Sequence, residues 1–321
     1  MRYRRFGRTG WQVSEIGYGM WGMGGWTGSD DGESLASLRH AVELGCNFFD
    51  TALVYGKGHS ERLLGQLLRG AAGHRIFSAT KLPPLDGRWP PVPGTPVAET
   101  FPAAHILACV EESLRNLGVE RLDLVQFHVW DDRWTASDGW REALLELKAA
   151  GKIEAAGISI NRWQPENCLL ALATGDIDAV QVVYNIFDQS PEDRLFPACR
   201  AQDIAVIARV PFDEGTLTGT LTRQSTWPEG DWRNTYFGAG NLAASVERAE
   251  ALGPLVPRGM TLPELALRFI LTAPEVCTTI PGMRRRAHVD TNLAVADGTR
   301  LAPELVAKLR PHRWDRSTAA R

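Results

Sequence analysis

From residue 13 to residue 296 the chain repeats one pattern eight times: a short apolar run, then a stretch with helical periodicity. The runs fall at 13–19, 46–50, 76–81, 122–128, 155–160, 179–186, 204–210 and 276–280. Such alternation reads as buried strands joined by helical crossovers, which makes neighbouring strands parallel. Eight units predict an α/β fold of the (β/α)8 TIM-barrel kind. Ahead of them, 3–14 carries two short runs about Gly7-Arg8-Thr9-Gly10 and predicts an N-terminal β-hairpin. Local signals agree. Asp30 precedes Glu33 by three, a capping box for a helix through Leu44. Ser60 is expected to cap the helix through Leu68, and Pro165 to sit in the first turn of the helix through Ala173. The rival is an open doubly wound sheet, for which Gly17-Tyr18-Gly19-Met20-Trp21-Gly22 spells a dinucleotide-binding string. A glycine-rich loop comes directly after that string rather than a helix start, so the barrel is preferred. The expected unit is one domain, 1–321, with the polar segment 311–321 as a mobile tail.

Two segments break the rhythm. Residues 83–102 are rich in Pro and Gly and carry Trp89, and 222–243 carries Trp227, Trp232, Tyr236 and Phe237. Both follow odd-numbered barrel strands on the catalytic side, where long loops are usually binding loops or lids. The formal charge of −3, without a basic stripe, argues against nucleic acid as a partner. No run is long enough to span a membrane, and no signal core follows the basic N-terminus. Cys46, Cys109, Cys168, Cys199 and Cys277 are scattered and form no close pair. That pattern suits reduced thiols in a cytoplasmic protein, not a disulfide scaffold or a zinc site. The oligomeric state is not legible.

Four polar residues stand where apolar runs end: Asp50, Lys81 and His128 close three runs, and Tyr55 follows the first. Singly they read as an ion pair, a loop tyrosine and a capped core histidine. In a parallel barrel they converge at the rim where the chemistry sits. Together they suit carbonyl reduction, which needs a hydride on carbon and a proton on oxygen. A free phenol, with a pKa of about 10, is a poor acid at neutral pH. The Lys81 ammonium would lower that value, Asp50 would hold the lysine, and His128 would orient the carbonyl oxygen or relay a proton. The His and carboxylate residues do not cluster at strand ends, which tells against a metal-dependent hydrolase.

Asp50-Thr51-Ala52-Leu53-Val54-Tyr55-Gly56, with Lys81 and His128, resembles the catalytic tetrad of the aldo-keto reductases. The resemblance extends through Phe6-Gly7-Arg8-Thr9-Gly10, Gly157-Ile158-Ser159, Gln181-Val182-Val183-Tyr184-Asn185, Leu217-Thr218-Gly219, Ile280-Pro281-Gly282 and Asn292. It implies an NADP(H)-dependent oxidoreductase that reduces aldehydes or ketones, or runs in reverse on sugar-like alcohols, with a small-molecule substrate and Tyr55 as the acid. The alternative it carries is a cofactor-binding regulatory subunit with little turnover. Gly19, Met20 and Trp21 then lie beside the nicotinamide, and Ser159 and Gln181 on its carboxamide. The loop holding Pro211, Phe212, Gly215 and Leu217 meets the pyrophosphate through backbone amides, and Asn292 meets adenine. Asp50 and Gly282 are also expected cofactor contacts. Arg284, Arg285, Arg286 and His288 fall where the family binds the adenosine 2′-phosphate, and arginine forks at a helix start suit phosphate. Three departures stand out. Arg209 occupies the place of an aromatic that stacks on the nicotinamide in many members; it can stack likewise or meet an anionic substrate. Asn161 is displaced by one from the usual Ser-Asn pair, and Gly282-Met283 replaces a Lys-Ser. Among Trp21, Trp26, Trp89 and Trp130, the sequence favours Trp21 and Trp130, with Tyr55 and His128, as the substrate wall.

Overall fold

The computed structural model describes residues 1–316 except 26, 27, 72 and 239. Strands β1 (Tyr3–Phe6) and β2 (Trp11–Ser14) pair antiparallel, with Phe6 opposite Trp11. Eight parallel strands come after them: β3 (Tyr18–Gly19), β4 (Phe48–Asp50), β5 (Phe77–Leu82), β6 (Leu122–Phe127), β7 (Ile153–Ser159), β8 (Ala179–Val183), β9 (Ala205–Arg209) and β10 (Val276–Thr279). Each hydrogen-bonds to the next in chain order. The run expected as one strand at 13–19 is two. Val13 and Ser14 finish the hairpin, and the chain turns at Glu15, a buried carboxylate held by Arg4 (2.7 Å) and Arg300.

The barrel closes where β3 meets the chain beyond β10. Gly17 N donates to Thr279 O (2.8 Å), and Gly19 N to Pro281 O (3.0 Å). A Cβ on Gly19 would lie 2.5 Å from Ile280 O, so the seam shuts only on a glycine. The apparent dinucleotide string is therefore a seam in the barrel, not a phosphate turn opening a helix.

The crossovers are α1 (Asp31–Glu43), α2 (His59–Gly70), α3 (Val97–Thr100), α4 (Ala103–Leu117), α5 (Gly139–Ala149), α6 (Leu169–Ala173), α7 (Leu195–Gln202), α8 (Trp232–Tyr236), α9 (Asn241–Leu252), α10 (Leu262–Thr272), α11 (Arg286–Leu293) and α12 (Pro303–Leu309). Asp30 caps α1 as expected, accepting from Glu33 N at 2.7 Å. Ser60 does not cap α2. It lies inside the first turn, accepting from Thr51 Oγ1 (2.8 Å) and donating to Met20 O (3.2 Å). Pro165 lies in a turn before α6, which starts only at Leu169.

Side chains alternate faces along a strand, so the inward set can be read two residues at a time. Phe48, Phe77, Ala79, Leu124, Ala155, Ala179, Ala205, Ile207 and Cys277 form the barrel interior, joined from below by Phe6, Trp11 and Val13. Four of these positions are alanine, and the space they leave is filled by rings: Phe6 lies 5.4 Å from Phe48, and Trp11 4.9 Å from Phe77. The hairpin thus stoppers the N-terminal end of the barrel. The larger core lies between the strands and the helices.

Part of the segment expected as a mobile tail is docked. Trp314 N donates to Phe187 O (2.8 Å), and Arg316, 6% exposed, pairs with Asp188 and with Asp213 (2.8 Å). Residues 317–321 lie outside the described set. All five cysteines are buried and unpaired. Among the described residues no helix is long and apolar enough to cross a membrane, and no group of three or more His, Cys, Asp or Glu could hold a metal ion.

Candidate active site

Two residues beyond each interior position, the inward face turns polar at the C-terminal rim. Phe48 leads to Asp50, Ala79 to Lys81, Leu124 to Gln126 and then His128, Ala179 to Gln181, and Ile207 to Arg209. Period-two geometry alone gathers these groups over the apolar floor.

Lys81 is fully buried. Its Nζ donates to Asp50 Oδ1 (2.5 Å) and Thr51 O (2.7 Å), and lies 5.2 Å from the Tyr55 ring centroid. The other Asp50 oxygen accepts from Gln181 Nε2 (2.7 Å) and Gln126 Nε2 (3.3 Å). Tyr55 is half-buried on the turn after β4, where Gly24 presses against it: a Cβ on Gly24 would lie 2.9 Å from the Tyr55 carbonyl carbon. His128 stands edge-on to Tyr55, with ring centroids 5.8 Å apart, and Trp89 from the long loop meets it at 4.5 Å. The four expected residues are therefore together.

The electrostatics differ from the expectation in one sign. Lys81 does pull the Tyr55 phenol down, but burial is the larger effect and the net shift is upward. Tyr55 is thus a protonated donor at neutral pH. Burial first, then the Lys81 and Arg209 charges, hold His128 well below the ordinary imidazole value, so it is neutral. Its Nδ1 is buried and has no partner among the described residues.

The outer contacts are mixed. Trp130 does not line the mouth. It is fully buried against Phe127 (5.2 Å), Trp134 (5.6 Å) and Trp140 (5.1 Å), because an indole this apolar gains more in the core. Asn161 clamps its backbone, accepting from Trp130 N (3.2 Å) and donating to Trp130 O (2.7 Å), which gives the displaced asparagine a structural role. Trp89 and Trp21, 45% and 40% exposed, are the open aromatics; Trp26 lies outside the described residues. Met20 is buried and anchored through N to Asp50 O (2.9 Å), while Ser159 ends the inward face of β7.

After β9, Pro211 and Phe212 lead into a turn with Asp213, Glu214 and Gly215 all at positive φ. The amides of Gly215 and Leu217 both turn back to Phe212 O at 3.0 Å, so they do not face outward as expected. Two buried side-chain atoms of this turn lack a partner among the described residues, Asp213 Oδ2 and Thr216 Oγ1, and of these Thr216 Oγ1 is the donor. Asp213 ties this turn to the second long loop by accepting from Tyr236 (2.6 Å), and to Arg316. At the start of α11, Arg284 packs on Gly22, and its buried Nη1 also lacks a partner among the described residues. Arg285, Arg286 and His288 are exposed beside it, Asn292 is buried, and Gly282 bridges Gly19.

Sequence reasoning missed Gln126 as a partner of Asp50, Trp89 as the ring on His128, and the Arg162–Glu214 pair beside Arg209. Parity would have found Gln126, which shares its face with His128. The other two depend on loop paths.

The family model described as Aldo/keto reductase family matches residues 15–313. The NADH-specific methylglyoxal reductase of Escherichia coli (strain K12) is 30% identical over 301 residues, covering 90% of this chain and 91% of that protein. The holo form of aldo-keto reductase AKR11C1 from Bacillus halodurans superposes with a TM-score of 0.77 at 27% identity, covering 98% of this chain and 97% of that one. An aldo-keto reductase from Klebsiella pneumoniae, solved in complex with NADPH, superposes with a TM-score of 0.72 at 25% identity, covering 99% and 96%.

Proposed function

This chain belongs to the aldo/keto reductase family, and from that premise we propose that it reduces an aldehyde or ketone to the alcohol with NADP(H), Tyr55 giving the proton to the carbonyl oxygen. The observation that carries the reading is Lys81 Nζ held 2.5 Å from Asp50 and 5.2 Å from the Tyr55 ring, with His128 edge-on to that ring.

The residues present fit a phosphate-bearing dinucleotide. Arg284 Nη1 and Thr216 Oγ1 are buried donors without partners among the described residues, the condition a phosphate group relieves. Arg284, with Arg285, Arg286 and His288 nearby, would take the 2′-phosphate; Thr216 would serve the diphosphate, and Met20, Ser159 and Gln181 the nicotinamide end. When bound, the nicotinamide supplies the hydride that no side chain can give. The neutral His128 aligns the carbonyl oxygen beside Tyr55. Tyr55 donates its proton as charge develops there, and the Lys81 ammonium steadies the phenolate left behind. Asp50 aims Lys81 through the 2.5 Å contact, and is itself held by Gln181 and Gln126. Burial raises the phenol and keeps it protonated at neutral pH, the state in which it can donate to a carbonyl oxygen.

Residues 1–321 act as one barrel unit in this reading, and the five buried thiols suit the cytoplasm. The test is Tyr55→Phe with NADPH and a simple aromatic aldehyde. Turnover is expected to fall at least about 100-fold while NADPH binding holds, the range for loss of a general acid. Full activity in the variant would end the mechanism.

A further inference from the structure

We propose that the mouth of this barrel is built for a carbonyl compound bearing an anionic group, a carboxylate or a phosphate, and that Arg209 receives the anion. The proposal rests on the carbonyl-reduction reading and adds the substrate class.

Arg209 lies two residues beyond the interior Ile207, so its side chain points inward at the rim, among the reacting groups. Its charge acts on both Tyr55 and His128, the two residues about the carbonyl. Among the described residues its one hydrogen-bond partner is Ile160 O, reached from Nη2 at 3.0 Å, while its Nε–H is buried and unpartnered.

The surrounding charges are settled. Lys81 has Asp50, Arg162 has Glu214, and Arg316 has Asp188 and Asp213. Gln126, Gln181 and the neutral His128 bring no negative charge to the rim. Among the described residues no carboxylate lies within salt-bridge distance of Arg209; Glu214 and Asp50 act on it only from farther off, each already paired with another cation. Burial and the adjacent Arg162 draw it down to about 10, still charged at neutral pH. The guanidinium is half-buried, but its buried Nε–H costs free energy unless something arrives to pair with it. Its planar fork matches a carboxylate or phosphate. Arg162 Nη1, also buried and without a partner among the described residues, offers a second donor from the neighbouring guanidinium. One small molecule can then present its carbonyl to Tyr55 and His128 and its anion to Arg209.

The experiment compares kcat/KM within matched pairs. One is 4-carboxybenzaldehyde against methyl 4-formylbenzoate; the other, glyceraldehyde 3-phosphate against glyceraldehyde, separates phosphate from carboxylate. The wild type is expected to prefer the charged member of at least one pair by about 10- to 100-fold, the range for a charge-assisted hydrogen bond. Arg209→Met should collapse that ratio towards one. Arg209→Lys, which keeps charge but not the fork, should retain part of it and remains informative if the methionine variant does not fold. NADPH dissociation constants are measured alongside. Equal rates within both pairs for the wild type overturn the proposal. So does an Arg209→Met variant that loses NADPH affinity and slows both members of a pair equally, since Arg209 would then serve the cofactor. If no aldehyde of either charge is turned over, the reduction reading itself fails and this proposal falls with it.

Discussion

Asp50→Asn leaves the shape of the rim nearly unchanged but strips Lys81 of its counter-charge. The ammonium is fully buried, and the acceptors left to it, an amide oxygen and Thr51 O at 2.7 Å, are neutral. Breaking one side of a buried pair costs about 3–5 kcal/mol. An unfolding entropy of about 2.1 cal/mol/K per residue makes 1 kcal/mol worth about 1.5 °C at this length. The variant should therefore melt about 4–8 °C below the wild type. Lys81→Met should cost a comparable amount, since it leaves the Asp50 carboxylate with only Gln181 and Gln126. With both changes no unpaired charge remains. The double variant should be at least about 2 kcal/mol more stable than the two single losses added together. The four proteins are compared by calorimetry and urea unfolding, because all three variants are expected to lose turnover and activity cannot rank them. Strictly additive losses, or an Asp50→Asn protein that melts with the wild type, would refute the claim that the pair is buried and mutually compensated.

The site sets two further outcomes. His128 is held well below its ordinary value of about 6.5, so the unfolded chain takes up this proton first. Its stability contribution is whole above about pH 6.5 and is lost as the pH falls below that; His128→Asn should flatten the stability profile there by up to about 1.4 kcal/mol per pH unit. A profile identical to the wild type's sinks the assignment. Arg284→Gln should raise the KM for NADPH by about 10- to 100-fold and that for NADH far less, as expected for one charged hydrogen bond to the extra phosphate. Steady-state kinetics with both cofactors decide it, and equal losses would remove Arg284 from 2′-phosphate recognition.

The strand-end residues were legible because two regularities coincide. Alternating strands and helices fix a parallel barrel, and the pleat then sends Asp50, Lys81 and His128 to one rim. Legibility stopped where position depends on a path through space. Trp130 follows its strand by three residues and looks like a mouth residue, yet it turns outward into Phe127, Trp134 and Trp140. Trp89, dozens of residues from His128 in the chain, lands on its ring. The sign of the Tyr55 shift was out of reach for a related reason. Lys81 can be named from the chain, but the burial that outweighs it is set by everything around the phenol. Arg316 reads as part of a polar tail until Asp188 and Asp213 are seen on either side of it.

The stopper made by Phe6, Trp11 and Val13 also gives the barrel a direction. With the interior packed and its lower end shut, the groups at Asp50, Lys81, Tyr55 and His128 face a single side of the molecule. Any molecule that reaches Tyr55 approaches from the C-terminal rim, past Trp89 of the 83–102 loop, which lies against His128.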